Sequence, residues 1–201
     1  MAERKSLGGL WFEEVERRLQ ARPTRRIRDP QATPAAVLVP LYLAEGQLWV
    51  LLTRRADNLP HHPGQYAFPG GARDPQDTDE VSTALRETRE ELGVPEESVM
   101  VLGYLDDLLT VTGFVVSPVV GAIPYPLRLQ PDPREVAAVV PLPFAVAANP
   151  LLVEEQEFTW RGQRHRSPVV HYGSRRIWGT TARILLDLVQ RLSDAGAEVG
   201  G

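Results

Sequence analysis

Not one of the 201 residues is cysteine, which removes disulfides, thiolate metal sites and cysteine nucleophiles at once and leaves oxygen and imidazole as metal donors. Histidine is scarce as well, at four. No apolar run approaches the roughly 18 residues that span a bilayer, and the stretch 37–43 is already interrupted by Pro40. Basic excess is also missing: 22 lysines and arginines stand against 26 acids, a formal charge of −4. There is no basic stripe of the kind that tracks a phosphate backbone, so neither nucleic acid nor membrane is an expected partner. The 16 glycines and 18 prolines fall well short of the roughly 25–30% that marks a low-complexity chain. What is left is a folded chain about one domain long. Met-Ala-Glu-Arg-Lys leads into a charged amphipathic segment instead of an apolar signal core, and the end of the chain carries no lipidation signal, so the cytoplasm is the expected location.

Leu10, Phe12, Val15 and Leu19 are spaced for a short helix that ends before Pro23, an N-terminal helical appendage within 1–30. A single domain is expected over 31–195, with 196–201 as a flexible tail. Runs 35–43 and 47–53 read as hairpin strands joined through Ala44-Glu45-Gly46. Tyr66-Ala67-Phe68 reads as a short strand entering Pro69-Gly70-Gly71, where glycine permits a close backbone approach. The clearest helix runs from Asp79 to Leu92 and stops at Gly93. Further strands are expected at 99–105, 114–123 and 136–140, with short ones near 157–160 and 168–172, before a last helix over 180–192. Strands outnumber helices and flank the central helix without alternating with it, which predicts an α+β fold. Trp160 and Trp178 read as core residues.

At about 100° per residue, Glu87, Glu90 and Glu91 fall within about 100° of arc on the central helix. Val81, Ala84, Leu85, Thr88 and Leu92 occupy the neighbouring sector, so one side is expected to be buried and another to present three carboxylates. Like charges at these spacings repel by a few tenths of a kcal/mol per pair and invite a counter-ion. Magnesium or manganese suits such oxygen donors and commonly bridges to substrate phosphates, which points to phosphoester or phosphoanhydride chemistry. The competing reading is a solvated salt-bridge surface, since Arg86 and Arg89 lie beside the acids. Against it, the preceding strand, glycine turn and loop come in the order that places backbone carbonyls near the acids.

Residues 71–94 resemble the Nudix box, G-x5-E-x7-R-E-U-x-E-E-x-G-U with U aliphatic, through Gly71, Arg86, Glu87, Glu90, Glu91, Gly93 and Val94. Asp77 stands at the first glutamate of the pattern, the spacer after it is one residue longer, and Thr88 replaces an aliphatic residue. Upstream, Leu51-Leu52-Thr53-Arg54-Arg55-Ala56, Gly64 and Phe68-Pro69-Gly70-Gly71 resemble the motif that precedes the box in coenzyme A pyrophosphatases, with Pro60 where an arginine is usual. Ile177-Trp178-Gly179-Thr180-Thr181-Ala182-Arg183 resembles the segment that opens their final helix. The resemblance implies a Nudix-like α/β/α sandwich with a mixed central sheet and flanking helices. It also implies Mg2+- or Mn2+-dependent hydrolysis of the diphosphate of coenzyme A or its derivatives, giving adenosine 3′,5′-bisphosphate and 4′-phosphopantetheine, and it allows a homodimer.

Carried onto this chain, the resemblance makes Glu87, Glu90 and Glu91 metal ligands together with the Gly71 carbonyl. Arg86, at about 260° on the same wheel, points away from the acids and is expected to orient a glutamate through a bidentate pair. The general base is one of the three glutamates or Glu135, whose alternative is a solvated residue ahead of a strand. Arg55, Gly64, Phe68, Gly70 and Gly71 are the candidate substrate-binding residues, Arg55 having a surface ion pair as its alternative. His61 and His62 either reach a phosphate or cap a turn, and are not metal ligands. Tyr66 and Phe68 alternate along a strand, which favours core packing for at least one. Two other functions stand beside this one. A Nudix pyrophosphatase acting on a nucleoside triphosphate or a sugar nucleotide such as ADP-ribose is prompted by Pro60. A non-catalytic nucleotide-binding regulatory module is prompted by the lengthened loop, and the clustered acids speak against it.

Overall fold

The computed structural model describes residues 7–160 and 162–193. In chain order they form helix α1 (Leu7–Gln20), strands β1 (Thr33–Ala44), β2 (Gln47–Arg55), β3 (Tyr66–Ala67) and β4 (Gly70–Ala72), then helix α2 (Glu80–Leu92). Strands β5 (Met100–Tyr104), β6 (Leu108–Leu109), β7 (Phe114–Ala122) and β8 (Val136–Pro143) follow, then the short helix α3 (Phe144–Ala147). Strands β9 (Val153–Trp160), β10 (Gln163–Tyr172) and β11 (Arg175–Trp178) lead into the last helix, α4 (Gly179–Ser193).

The expected hairpin forms with a two-residue turn, Glu45 at φ 52° and Gly46 at φ 73°, so β1 and β2 both run longer than the sequence indicated. Positive φ at both central residues gives the turn the twist that antiparallel strands need. β1 sits in the middle of a mixed sheet. It runs parallel to β7 over a register from Thr33↔Phe114 to Leu41↔Ala122, and antiparallel to β2 and β4 along its other edge. Among the described residues eight strands make this sheet, with β8 and β3 on β2 and with β5 and β6 on β7.

Successive strand residues point to opposite faces, which divides the apolar interior in two. Val39, Leu41, Val50 and Leu52 face the larger core, with Val15 and Leu19 of α1 and Ile184, Leu185 and Leu188 of α4. Leu38 and Leu51 face the other core, with Ala84 and Leu92 of α2. The fold is therefore α+β, a mixed central sheet with helices on both faces, as expected. α1 is further tied to α4 by Arg18, whose guanidinium donates to the Leu192 carbonyl. The expected tail, 196–201, lies outside the described residues. No described helix is long and apolar enough to cross a membrane.

Two features differ from the sequence reading. Strands β9, β10 and β11 form a separate antiparallel sheet, of which the expected short strands near 157–160 and 168–172 are parts; its full extent was hidden because most of its residues are charged or polar. Trp178 is not a core residue: it is 39% exposed, edge-on to Phe158, while its neighbour Ile177 takes the fully buried position. Period-two alternation turns one inward and the other out. The side chain of Trp160 lies outside the described residues.

Candidate active site

The site begins with a glycine turn pressed onto β1. Val37 pairs with Gly70 and Ala36 with Gly71. Gly70 sits at φ 154°, and a Cβ there would stand 2.4 Å from the Ala36 carbonyl oxygen, so only glycine permits the contact. Over this turn lies α2. Asp79 and Ser82 form a reciprocal capping box at its start, and Gly93 in the left-handed region ends it, which fixes where the intervening acids fall.

Glu87 and Glu91, one helical turn apart, both reach the glycines. The Gly70 N–H donates to Glu91 Oε1 at 3.4 Å, and a Cβ on Gly71 would stand 2.6 Å from the Glu87 carboxyl carbon. The acidic and buried sectors of the helix thus overlap, contrary to the separation expected from the wheel: Glu91 is only 4% exposed. Burial pushes its carboxyl up to about 8, opposed by the Gly70 N–H and Arg55 and reinforced by Glu135 and Glu87. Burial raises Glu87 too, against the pull of Arg86.

Arg86 holds the acids from the other side. Its Nη1 donates to Glu87 Oε1 at 2.9 Å and to Glu90 Oε2 at 3.2 Å, so it does not point away from them as the wheel implied. The bidentate partner is Asp77, met by Nε at 3.1 Å and Nη2 at 3.0 Å. Asp77 is buried, accepts from the Asp74 N–H, and is held by Arg86 well below the ordinary carboxylate range. The sequence marked Asp77 only as a departure from a pattern; its role as an anchor needed the folded loop. Glu90, half exposed, lies between Arg86 and Arg89.

Opposite α2, β2 ends at Arg55, where its pairing with β8 shifts register. Arg55 is half-buried, its Nε has no hydrogen-bond partner, and its charge favours the ionised form of Glu91. The next residue, Ala56, donates its N–H to the Glu135 carbonyl at 2.8 Å. Glu135 is exposed at the start of β8, and its charge is felt by both Glu87 and Glu91. Gly64, at φ 68°, closes the intervening loop through its N–H on the Arg55 carbonyl. In the same loop His62 takes φ 56°, and burial and Arg55 lower its imidazole pKa. Phe68 is not brought to the acids. It is 4% exposed in the larger core, on the face away from α2.

The oxygen donors suit a hard divalent cation. Gly71 leaves a cradle for the Glu87 carboxylate that any side chain would fill, and Glu91 lies beside it. With Arg86 engaging Glu87 and Glu90, no three His, Asp or Glu side chains among the described residues converge to hold an ion unaided.

A family model for the NUDIX domain matches residues 32–160. The chain is 39% identical over 170 residues to the uncharacterized Nudix hydrolase NudL of Photorhabdus laumondii, covering 85% of this chain and 90% of that protein. It is 43% identical over 169 residues to the same-named protein of Pectobacterium atrosepticum, covering 82% and 85%. The crystal structure of a MutT/nudix family protein from Enterococcus faecalis superposes with a TM-score of 0.53 at 17% identity, covering 96% of this chain and 76% of that one, a likeness of fold.

Proposed function

The chain belongs to the Nudix family, and on that premise we propose that it hydrolyses the diphosphate of coenzyme A or its derivatives. Water attacks one phosphorus, the bond to the bridging oxygen breaks, and adenosine 3′,5′-bisphosphate and 4′-phosphopantetheine leave. The observation that carries the reading is the meeting of two segments. The glycine turn after Phe68, from the segment resembling the coenzyme A pyrophosphatase motif, lies against Glu87 and Glu91 of the box, and the charge of Arg55 from the same segment is felt by Glu91.

Glu87, Glu90, Glu91 and the Gly71 carbonyl would hold Mg2+ or Mn2+, with Arg86 releasing Glu90 as it does so. When bound, such a cation neutralises diphosphate charge and makes water a better nucleophile. Arg55, half-buried and with its Nε buried and unpartnered, would meet a phosphate oxygen through its guanidinium. Glu135, exposed and with its charge felt by both Glu87 and Glu91, accepts the proton of the attacking water. Asp77 acts through Arg86 and touches no substrate.

The test is incubation of coenzyme A with the protein and either metal, products identified by mass. Release of 4′-phosphopantetheine that stops on addition of EDTA is the expected result. Cleavage of ADP-ribose or a nucleoside triphosphate in its place would favour the second reading, which Pro60 supports by removing a cation from the loop. Cleavage of none would favour a nucleotide-binding module.

A further inference from the structure

The loop that carries Glu135 is fastened to the end of α2 at two residues. The Asp132 N–H donates to the carbonyl of Glu91 at 2.9 Å, and two residues earlier the Gln130 N–H donates to Leu92. The Asp132 carbonyl then accepts from the N–H groups of Glu135 at 3.0 Å and Val136 at 2.8 Å. Its side chain closes the turn, with Oδ1 accepting the Arg134 N–H at 2.9 Å. Beyond the turn, the Glu135 carbonyl takes the Ala56 N–H, next to Arg55. Asp132 thus connects, through main-chain bonds, the last turn of the acidic helix to the start of β8 and to the end of β2.

We propose that Asp132 is a positioning residue for the hydrolysis, setting the Glu135 carboxylate in register with Glu87 and Glu91. This rests on the reading of Glu135 as the base. The side chain matters because an Asp two residues before an N–H donor supplies a turn the backbone alone does not specify. Its ion pair with the Arg134 guanidinium, which is 86% exposed, contributes little. What the turn provides is placement, and a displacement near 1 Å in a reacting group costs up to about 100-fold in rate.

The experiment measures kcat and KM for the wild type, Asp132→Ala, Asp132→Asn, Glu135→Gln and the Asp132→Ala/Glu135→Gln double variant, on the diphosphate that the product assay shows to be cleaved. Asp132→Ala is expected to lose about tenfold or more in kcat at nearly constant KM. Asp132→Asn keeps an acceptor for the Arg134 N–H and is expected to recover kcat to within about threefold of the wild type. The double variant is expected to be no slower than Glu135→Gln alone. If both single variants are slow and their losses multiply, Asp132 acts elsewhere and the proposal is overturned. If Glu135→Gln turns over like the wild type, the reading of the base fails and takes the positioning role with it. Should Asp132→Ala not fold, Asp132→Ser, with a weaker acceptor, replaces it and is expected to turn over more slowly than Asp132→Asn; kcat at or above the asparagine level would overturn the proposal.

Discussion

The carboxyl group of Glu87 lies where a side chain on Gly71 would have to go: a Cβ there would stand 2.6 Å from its carboxyl carbon and from Oε1. Gly71 does not take a positive φ, so alanine at this position strains Glu87 and not the backbone. Gly71→Ala is expected to lower turnover by about 10–100-fold, the usual cost of displacing a group that orients a metal ligand, with the melting temperature nearly retained. Steady-state rates with saturating magnesium check this. Unchanged turnover would contradict the cradle.

Glu91 makes the metal-free protein sensitive to base. A carboxyl whose value is raised from 4.5 to about 8 on folding binds its proton more tightly folded than unfolded. Its stabilising contribution is full below pH 4.5 and is lost as pH rises toward 8. The span corresponds to a loss on the order of 5 kcal/mol at most. Melting temperatures across that range are expected to fall in the wild type with EDTA, to fall less with magnesium, and to stay flatter in Glu91→Gln, which also loses turnover. A wild-type profile as flat as the variant's would contradict the burial argument.

Asp77 predicts the opposite limb. Held by Arg86 below its ordinary 3.8, it stabilises the fold above that value and ceases to do so as pH falls through its lower folded value. Asp77→Asn is expected to cost about 3 kcal/mol at neutral pH, as breaking a buried ion pair does. The two proteins should converge in acid. Turnover should fall as well, because Arg86 loses the partner that keeps it from closing further on Glu87 and Glu90. Urea titrations at neutral and acid pH measure the difference.

Glu90 has a half-exposed side chain, so Glu90→Gln leaves the fold nearly as stable as before. A turnover loss of about 100-fold or more is expected if it joins the metal ligands. A variant that turns over normally would remove Glu90 from the site.

Much of this architecture was legible in period and punctuation. The hairpin, α2 with its Asp79 and Gly93 boundaries, and α4 all follow from apolar spacing and caps, which are local properties. Of the second sheet only short pieces near 157–160 and 168–172 were legible, because Glu154, Glu157, Arg164 and Arg166 interrupt the apolar pattern of the rest of β9 and β10. At the site, spacing placed the three glutamates on one helix but could not separate Glu91, buried against the glycine turn, from Glu90, turned toward Arg86. Burial on a helix depends on what crosses it. Phe68 looked like part of a binding motif, yet its ring serves the larger core. Asp77 meets Arg86 from a loop nine residues away, and nothing in the sequence told that the turn at Asp132 would meet the end of α2.

The measurement that tests the account most directly is the ratio of kcat/KM for coenzyme A to that for ADP-ribose, under one metal and one pH. The glycine turn against Glu87 and Glu91, with Arg55 from the same segment carrying its charge toward Glu91, leads to an expected preference for coenzyme A of at least about tenfold, in the range that a few substrate contacts supply. Equal values, or a preference for ADP-ribose, would contradict the substrate assignment while leaving the metal-dependent hydrolysis by the acids of α2 in place.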